Sequence, residues 1–209
     1  MKKNFPMLII FLLIFLVNII SATDLKGKFS LTVKGGVPIP FGNFAGKYEE
    51  PNELGAKVGF GFGGTGEYFI TDNISVGVGF MYDIHSINEE AVFADLSWKV
   101  MNYGAFSRYL FTTDSKVFPY IKFDIGFYTL KYSVSVDGGE MIASYGTKLG
   151  IAAGVGLFYQ ISPSFLLSGE LIAHNAFTKS AEYENSRLDV NIQYMSFSVG
   201  VTFLSGRTK

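Results

Sequence analysis

Ile74-Ser75-Val76-Gly77-Val78-Gly79-Phe80-Met81-Tyr82-Asp83-Ile84-His85 alternates with a period of two residues. Successive side chains of a strand point to opposite faces. Ile74, Val76, Val78, Phe80, Tyr82 and Ile84 therefore share one face, and Ser75, Gly77, Gly79, Met81, Asp83 and His85 share the other. One face is large and apolar and the other is small or polar, the mark of a strand between two unlike environments. Similar stretches recur about eight times along the chain, separated by short turns and longer loops in alternation.

Working outward from that strand, residues 56–70 place Val58, Phe60, Phe62 and Tyr68 against Gly59, Gly61, Gly63, Thr65 and Glu67. Thr71-Asp72-Asn73 joins the two as a tight turn. A first strand over residues 28–37 leads into Pro38-Ile39-Pro40-Phe41-Gly42 and a polar loop at 46–54. In the fourth strand, 95–111, Lys99 and Arg108 have opposite parity. The preferred assignment puts Met101, Tyr103, Ala105 and Tyr109 outward with Asn102, Gly104 and Arg108 inward. The fifth begins near Pro119, a tolerated first position, with Ile121, Phe123, Ile125 and Phe127 opposed to Lys122, Asp124, Gly126 and Tyr128. Asp137-Gly138-Gly139-Glu140 marks a third long loop, over 135–143. The sixth strand sets Leu149, Ile151, Val155, Leu157 and Tyr159 against Lys148, Gly150, Gly154, Gly156 and Gln160. The seventh sets Phe165, Leu167, Leu171 and Phe177 against Ser168, Glu170, Ile172 and His174, and a charged loop at 178–187 precedes a last strand over 188–203.

Four loops then lie at one end, and three turns with both termini at the other. Apolar and polar faces alternate in the manner of an even-stranded transmembrane barrel with short periplasmic turns and longer extracellular loops. In hydrocarbon an open sheet edge would leave backbone groups unpaired, so the last strand is expected to pair with the first. Eight strands enclose a bore that side chains can fill. A soluble lipocalin-like barrel would show the same periodicity with the faces exchanged. Tyr68, Tyr82, Tyr109, Phe158 and Tyr159 lie near strand ends, and those pointing outward are expected in interfacial aromatic girdles.

The beginning and the composition favour the membrane. Met1-Lys2-Lys3, an apolar run over 7–20 and Ser21-Ala22 make up a signal peptide. Cleavage is expected after Ala22, leaving residues 23–209 as one barrel domain. The run is shorter than the roughly 20 residues of a spanning helix, which disfavours an uncleaved anchor. Losing Lys2 and Lys3 takes the 17 basic residues to 15 against 18 acidic ones, a net charge of about −3, not that of a nucleic-acid binder. There is no cysteine, hence no disulfide framework and no lipid attachment at the cut. Charged residues are 17% and aromatic residues 16%; the former is below the ~25% of soluble domains.

Seven inward-parity residues are the candidate site, a luminal polar network of Glu67, Asp83, Arg108, Lys122, Asp124, Lys148 and Glu170. Such groups must pair or reach water, because an unpaired buried charge is costly. They read either as a salt-bridge and tyrosine plug or as a polar path for small solutes. Inward glycines either leave space for that path or make room for Tyr120, Tyr128 and Phe158 from across the barrel. Ser86, His85 and Glu89 are the residues a hydrolytic triad would use, yet the His-x-Ser spacing of lipid-modifying barrels is absent, with Ile87 after His85 and Ala176 after His174. The chain is expected not to be an enzyme. Two histidines without cysteine offer no metal spacing, and Gly59-Phe60-Gly61-Phe62-Gly63-Gly64 is alternating strand rather than a nucleotide fingerprint. No cofactor is expected.

Three stretches resemble the small eight-stranded outer-membrane β-barrel proteins of Gram-negative bacteria, of the OmpX, OmpW and OmpA-membrane-domain type. They are Lys34-Gly35-Gly36-Val37-Pro38-Ile39-Pro40-Phe41-Gly42-Asn43-Phe44, then Tyr68-Phe69-Ile70-Thr71-Asp72-Asn73-Ile74-Ser75-Val76-Gly77, and Phe118-Pro119-Tyr120-Ile121. Phe197-Ser198-Val199-Gly200-Val201-Thr202-Phe203 looks like the signal read by the barrel-assembly machinery, although residues 204–209 follow it. The resemblance implies an outer-membrane location, contact with outer-membrane lipids and lipopolysaccharide, and a structural or surface-interaction role. A porin-like conduit for small hydrophobic molecules is the alternative. Partners at the outer loops would be host, phage or small hydrophobic ligands; the acidic loop residues Glu49, Glu50, Glu53, Glu89, Glu90, Glu182 and Glu184 read first as a solvated surface, and alternatively as contacts for host or phage proteins or as bridges to lipopolysaccharide through divalent cations.

Overall fold

A computed structural model describes residues 25–46, 53–87, 95–111, 113, 115–136, 139–177, 181–183, 186–188 and 191–205. The expected signal peptide, 1–22, lies outside them. The strands are β1 Phe29–Pro40, β2 Ala56–Phe69, β3 Ile74–Ile87, β4 Asp95–Leu110, β5 Val117–Val136, β6 Gly139–Ser162, β7 Phe165–Ala176, β8 Ala181–Tyr183, β9 Ser186–Leu188 and β10 Ile192–Ser205. Eight of them close an antiparallel barrel, and β8 and β9 form a separate two-stranded hairpin. Closure runs through β1 and β10, from Phe29 opposite Ser205 to Pro40 opposite Tyr194. Pro38 and Pro40 lie beyond the last β1–β2 pair, Gly36 opposite Gly61. There β1 has a barrel neighbour on one side only, and a residue without an N–H is tolerated.

The large aliphatic side chains face outward. Val33 is 70% exposed and Val78 66%, whereas Thr32 and Ser75, on the other face of the same two strands, are buried. This inverts a lipocalin and suits a wall surrounded by hydrocarbon; a belt of this size is foreign to a monomeric soluble surface. Aromatic pairs cluster outward near the turn end, at Phe29 with Tyr68 (4.8 Å), Tyr109 with Phe111 (5.2 Å) and Phe165 with Phe203 (5.4 Å). Toward the loop end Phe62 meets Tyr82 and Tyr103 meets Phe127 at 5.6 and 5.8 Å. Phe158 points inward, fully buried, and so belongs with the luminal rings rather than the girdle.

Two boundaries differ from the sequence reading. The expected loop at 135–143 is mostly strand: β5 and β6 stay paired to Val136 opposite Gly139. Met141 and Ile142 on this ribbon are 77% and 54% exposed. The alternation of Tyr132-Ser133-Val134-Ser135-Val136 carries β5 onward, and Asp137-Gly138 offers the chemistry of a short hairpin connection. The loop at 178–187 holds β8 and part of β9, so the last barrel strand starts at Ile192 rather than at 188.

The interior is layered. At the loop end Phe44, Leu54, Ile87, Trp98, Val100, Leu130, Ile192 and Tyr194 belong to one apolar cluster. Its Phe44 ends a short 3-10 turn, Gly42–Phe44, and Trp98 Nε1 donates to the Leu54 carbonyl at 2.8 Å. At the turn end Leu25, Phe69, Leu110, Phe118, Tyr120, Phe158, Leu166 and Leu204 form a second cluster. Leu25 is held there because its N–H and that of Lys26 donate to Asp72 Oδ1 at 2.8 and 3.0 Å.

Candidate functional site

Between the two apolar clusters lies a belt of charge. Strand register builds it: Ser30 stands opposite Glu67, Ser75 opposite Arg108, Arg108 opposite Lys122, and Glu170 opposite both Gly156 and Ser198. Arg108 Nη1 lies 2.5 and 2.6 Å from the Glu67 carboxylate oxygens. Ser30 and Ser75 hydroxyls donate to the same carboxylate at 2.7 and 2.8 Å. Glu170 accepts from Lys34, from Tyr120 Oη at 3.1 Å and from Ser198 Oγ at 3.2 Å, with Arg108 Nη2 at 4.0 Å. Lys122 pairs with Asp124 at 2.8 Å.

Aromatic rings complete the enclosure. The Arg108 guanidinium carbon sits 4.3 Å from the Tyr120 ring centroid, 4.8 Å from Phe158 and 5.3 Å from Phe106. Lys122 Nζ lies 4.4 Å from the Phe106 ring. Desolvated cations gain most from such faces. The inward glycines seat these rings. A Cβ on Gly77 would meet the Phe106 ring at 2.7 Å, one on Gly150 the Tyr128 ring at 2.6 Å, and one on Gly156 the Tyr120 ring. Tyr120 stands directly opposite Gly156 on the neighbouring strand, so the accommodation is lateral rather than from across the barrel.

Of the seven candidate residues, the belt gathers Glu67, Arg108, Lys122, Asp124 and Glu170. Lys148 stands opposite Tyr128, six residues nearer the loop end than the pair of Lys122 with Gly154, and is half-buried. Asp83 also lies toward the loop end, opposite Gly61 and Val100. Its carboxylate is buried close to the Tyr194 hydroxyl, with neither group in hydrogen-bonding geometry. Lys34 takes the place in the belt that sequence reasoning gave to Lys148. Its signal was present: Ser30, Thr32 and Lys34 alternate with Phe29, Leu31 and Val33.

The triad residues do not assemble. His85 is buried in the lumen and Ser86 faces outward, as adjacent strand residues must; Glu89 lies outside the described residues. His85 Nδ1 lies 3.0 Å from the Lys57 carbonyl, and its ring meets Phe44 edge-on at 5.0 Å. His174 stacks on Tyr194 at 4.4 Å, with Nε2 3.0 Å from Ser196 Oγ and Nδ1 3.0 Å from Tyr128 Oη. Among the described residues no group of three His, Asp or Glu could hold a metal ion. The polar space lined by Lys34, Asn102, Lys122, Asp124, His174 and Ser196 amounts to about 30 Å³, the scale of one water. Chemically, the belt is self-compensated: its carboxylates are engaged by its own cations and hydroxyls.

The model of the family described as "Outer membrane protein beta-barrel domain" matches residues 9–204. Among solved structures, OprG of Pseudomonas aeruginosa aligns with TM-score 0.60 and 14% identity, over 88% of this chain and 98% of that one. Neisserial surface protein A aligns at 0.53 and 17%, over 86% and 96%. The Yersinia pestis attachment invasion locus protein Ail, solved with the heparin analogue sucrose octasulfate, aligns at 0.51 and 17%, over 86% and 99%. These likenesses are of fold. No curated protein matches the chain in sequence.

Proposed function

Because the chain belongs to the outer membrane protein β-barrel domain family, we propose that it is a non-enzymatic envelope barrel with a closed lumen. Its role would be structural or adhesive and carried by the loop end. The observation behind this reading is the layered interior, a compensated ionic belt between two apolar clusters, beside which one cavity measures about 30 Å³. A solute path needs continuous wet space, and each ion leaving its partner in so narrow a bore would face a penalty of several kcal/mol. The absence of an enzyme role is supported by His85 and Ser86 facing opposite sides of the wall and by the burial of His174 and Ser196 together.

Interaction would then fall to the β5–β6 ribbon and to the loops around 45–55, 86–95 and 178–187. Ail was solved with a sulfated ligand. The loops here carry Glu49, Glu50, Glu53, Glu89, Glu90, Glu182 and Glu184, so a polyanion at the rim would meet repulsion. Cationic or cation-bridged partners fit better. The outward apolar alternation of β10, ending at Phe203, is the segment offered to the assembly machinery.

Planar-bilayer recording of the refolded barrel tests the reading. A sample shown to be folded by its heat-dependent gel mobility is expected to be electrically silent. Reproducible discrete steps would replace the closed barrel with a conduit.

A further inference from the structure

We propose that Asp83, with the Tyr194 hydroxyl beside it, binds one small monovalent cation, an alkali ion or ammonium, inside the bore below Phe44. The charges of the belt pair off: Arg108 with Glu67, Lys34 with Glu170 and Lys122 with Asp124. Lys148, the remaining cation of the inward set, is itself engaged. Asp83 is in none of the belt pairs. It is 1% exposed, and neither of its carboxylate oxygens has a hydrogen-bond partner. A carboxylate so enclosed carries a heavy desolvation penalty until an opposite charge meets it.

The surroundings define the ligand. Tyr194 is fully buried, and its Oη likewise lacks a partner. His85 is the next inward residue above Asp83 on β3, and its Nδ1 lies 3.0 Å from the Lys57 carbonyl. A carbonyl only accepts, so Nδ1 carries the hydrogen and Nε2 keeps a lone pair, again without a partner. The His85 ring lies 5.8 Å from the Tyr194 ring and 5.0 Å from the Phe44 ring above it. Gly61 on β2 makes room for the carboxylate, because a Cβ there would collide with Asp83 Oδ1. Four enclosed atoms thus offer lone pairs, with one negative charge among them. A monovalent cation closes that balance. A divalent ion would leave a buried positive charge, and an anion would add to the negative one. The luminal cavity lined by Met81, the inward residue before Asp83, holds about 30 Å³. That is the scale of one water, which suits sodium, potassium or ammonium and excludes a bulky organic cation.

The inference goes beyond a closed bore and needs only that Asp83 be enclosed in the folded barrel. Full-length wild-type, D83N and Y194F barrels are refolded into phosphatidylcholine vesicles, and unheated gel mobility confirms folding of each. Urea titrations are run at constant ionic strength while sodium, potassium or ammonium chloride replaces tetramethylammonium chloride, whose cation is too large for the site. For wild type the folded-to-unfolded ratio should rise about tenfold when the cation reaches about nine times its dissociation constant. The ion that gives the steepest rise is the ligand. D83N, neutral and of the same shape, should show no rise, and Y194F a weaker one. A rise retained in D83N, or reproduced by adding tetramethylammonium chloride alone, would overturn the site. So would a wild type indifferent to all three cations, which would place a proton on Asp83 instead. Should D83N fail to fold, an undiminished rise in Y194F would overturn it as well.

Discussion

Arg108 and Glu67 form a sealed pair in which one guanidinium nitrogen lies 2.5 and 2.6 Å from the two carboxylate oxygens. Both side chains are buried, and Tyr120, Phe158 and Phe106 surround the cation. Breaking one half leaves a buried charge behind. Arg108→Met is expected to lower the unfolding free energy by about 3–5 kcal/mol, read from urea titration in lipid vesicles. Combining it with Glu67→Gln should restore a large part, because the two act as one unit. A loss below ~1 kcal/mol for the single variant would show the pair to be water-screened.

Gly156 and Gly169 are expected to respond in opposite ways to the same methyl group. On Gly156 a Cβ would meet the Tyr120 ring and, at 2.6 Å, the Gly169 carbonyl, whereas on Gly169 or Gly66 it meets nothing within 4 Å. Gly156→Ala should cost about 1–3 kcal/mol, as overpacking does. Gly169→Ala and Gly66→Ala should stay within about 0.5 kcal/mol, with a small gain from a stiffer unfolded chain. Equal losses at all three would mean that the rings are not seated on glycine.

What the sequence reveals here follows from parity. Glu67, Lys122 and Glu170 sit on strands whose other face is plainly apolar, so their inward facing is legible from alternation alone. Arg108 is legible less directly, since Ser107 on its outward side breaks the contrast. Level is another matter. Parity does not say that Lys148 and Asp83 lie above Lys122, because height depends on register between strands. Register is set by pairing over the whole barrel, including the bulge between Thr129 and Lys131. Lys34 illustrates a third case: its inward face was readable, but its partner Glu170 is 136 residues away and becomes a neighbour only when β1 and β10 close the sheet. The ribbon beyond Lys131 was hidden because Asp137-Gly138-Gly139 reads equally as a loop and as a hairpin turn.

Asp72 should act as a latch on the start of the described chain. Its Oδ1 accepts the N–H groups of Leu25 and Lys26, and Leu25 fills the turn-end cluster at 2% exposure. Asp72→Ala is expected to cost about 0.5–1.5 kcal/mol, the net worth of an ordinary hydrogen bond, because the bond to Leu25 is only partly buried and that to Lys26 is exposed. It should also speed hydrogen exchange at Leu25 and Lys26 selectively. Asp72→Asn, which keeps an oxygen acceptor, should retain most of the protection. Unchanged exchange in Asp72→Ala would assign the docking of Leu25 to apolar contact alone.

Val78 offers the sharpest test of what surrounds the wall. It is 66% exposed, faces outward between Gly66 on β2 and Ala105 on β4, and lies four residues above Ile74. At ~3.3 Å per tilted residue that is roughly 10 Å above the turn-end girdle, close to the middle of a 25 Å band. Arginine there must be stripped of water or drag water inward, so Val78→Arg should cost about 2–4 kcal/mol. Ile70, 47% exposed at the turn end, lies at the interface, where a long cationic side chain reaches headgroups by snorkelling. Ile70→Arg should cost no more than about 1 kcal/mol. In a soluble barrel both substitutions would exchange an exposed apolar group for a charged one at little cost. The depth dependence, read by urea titration in phosphatidylcholine vesicles, therefore separates hydrocarbon from water as the solvent of this face; equal, small costs at the two positions would exclude a lipid-facing wall.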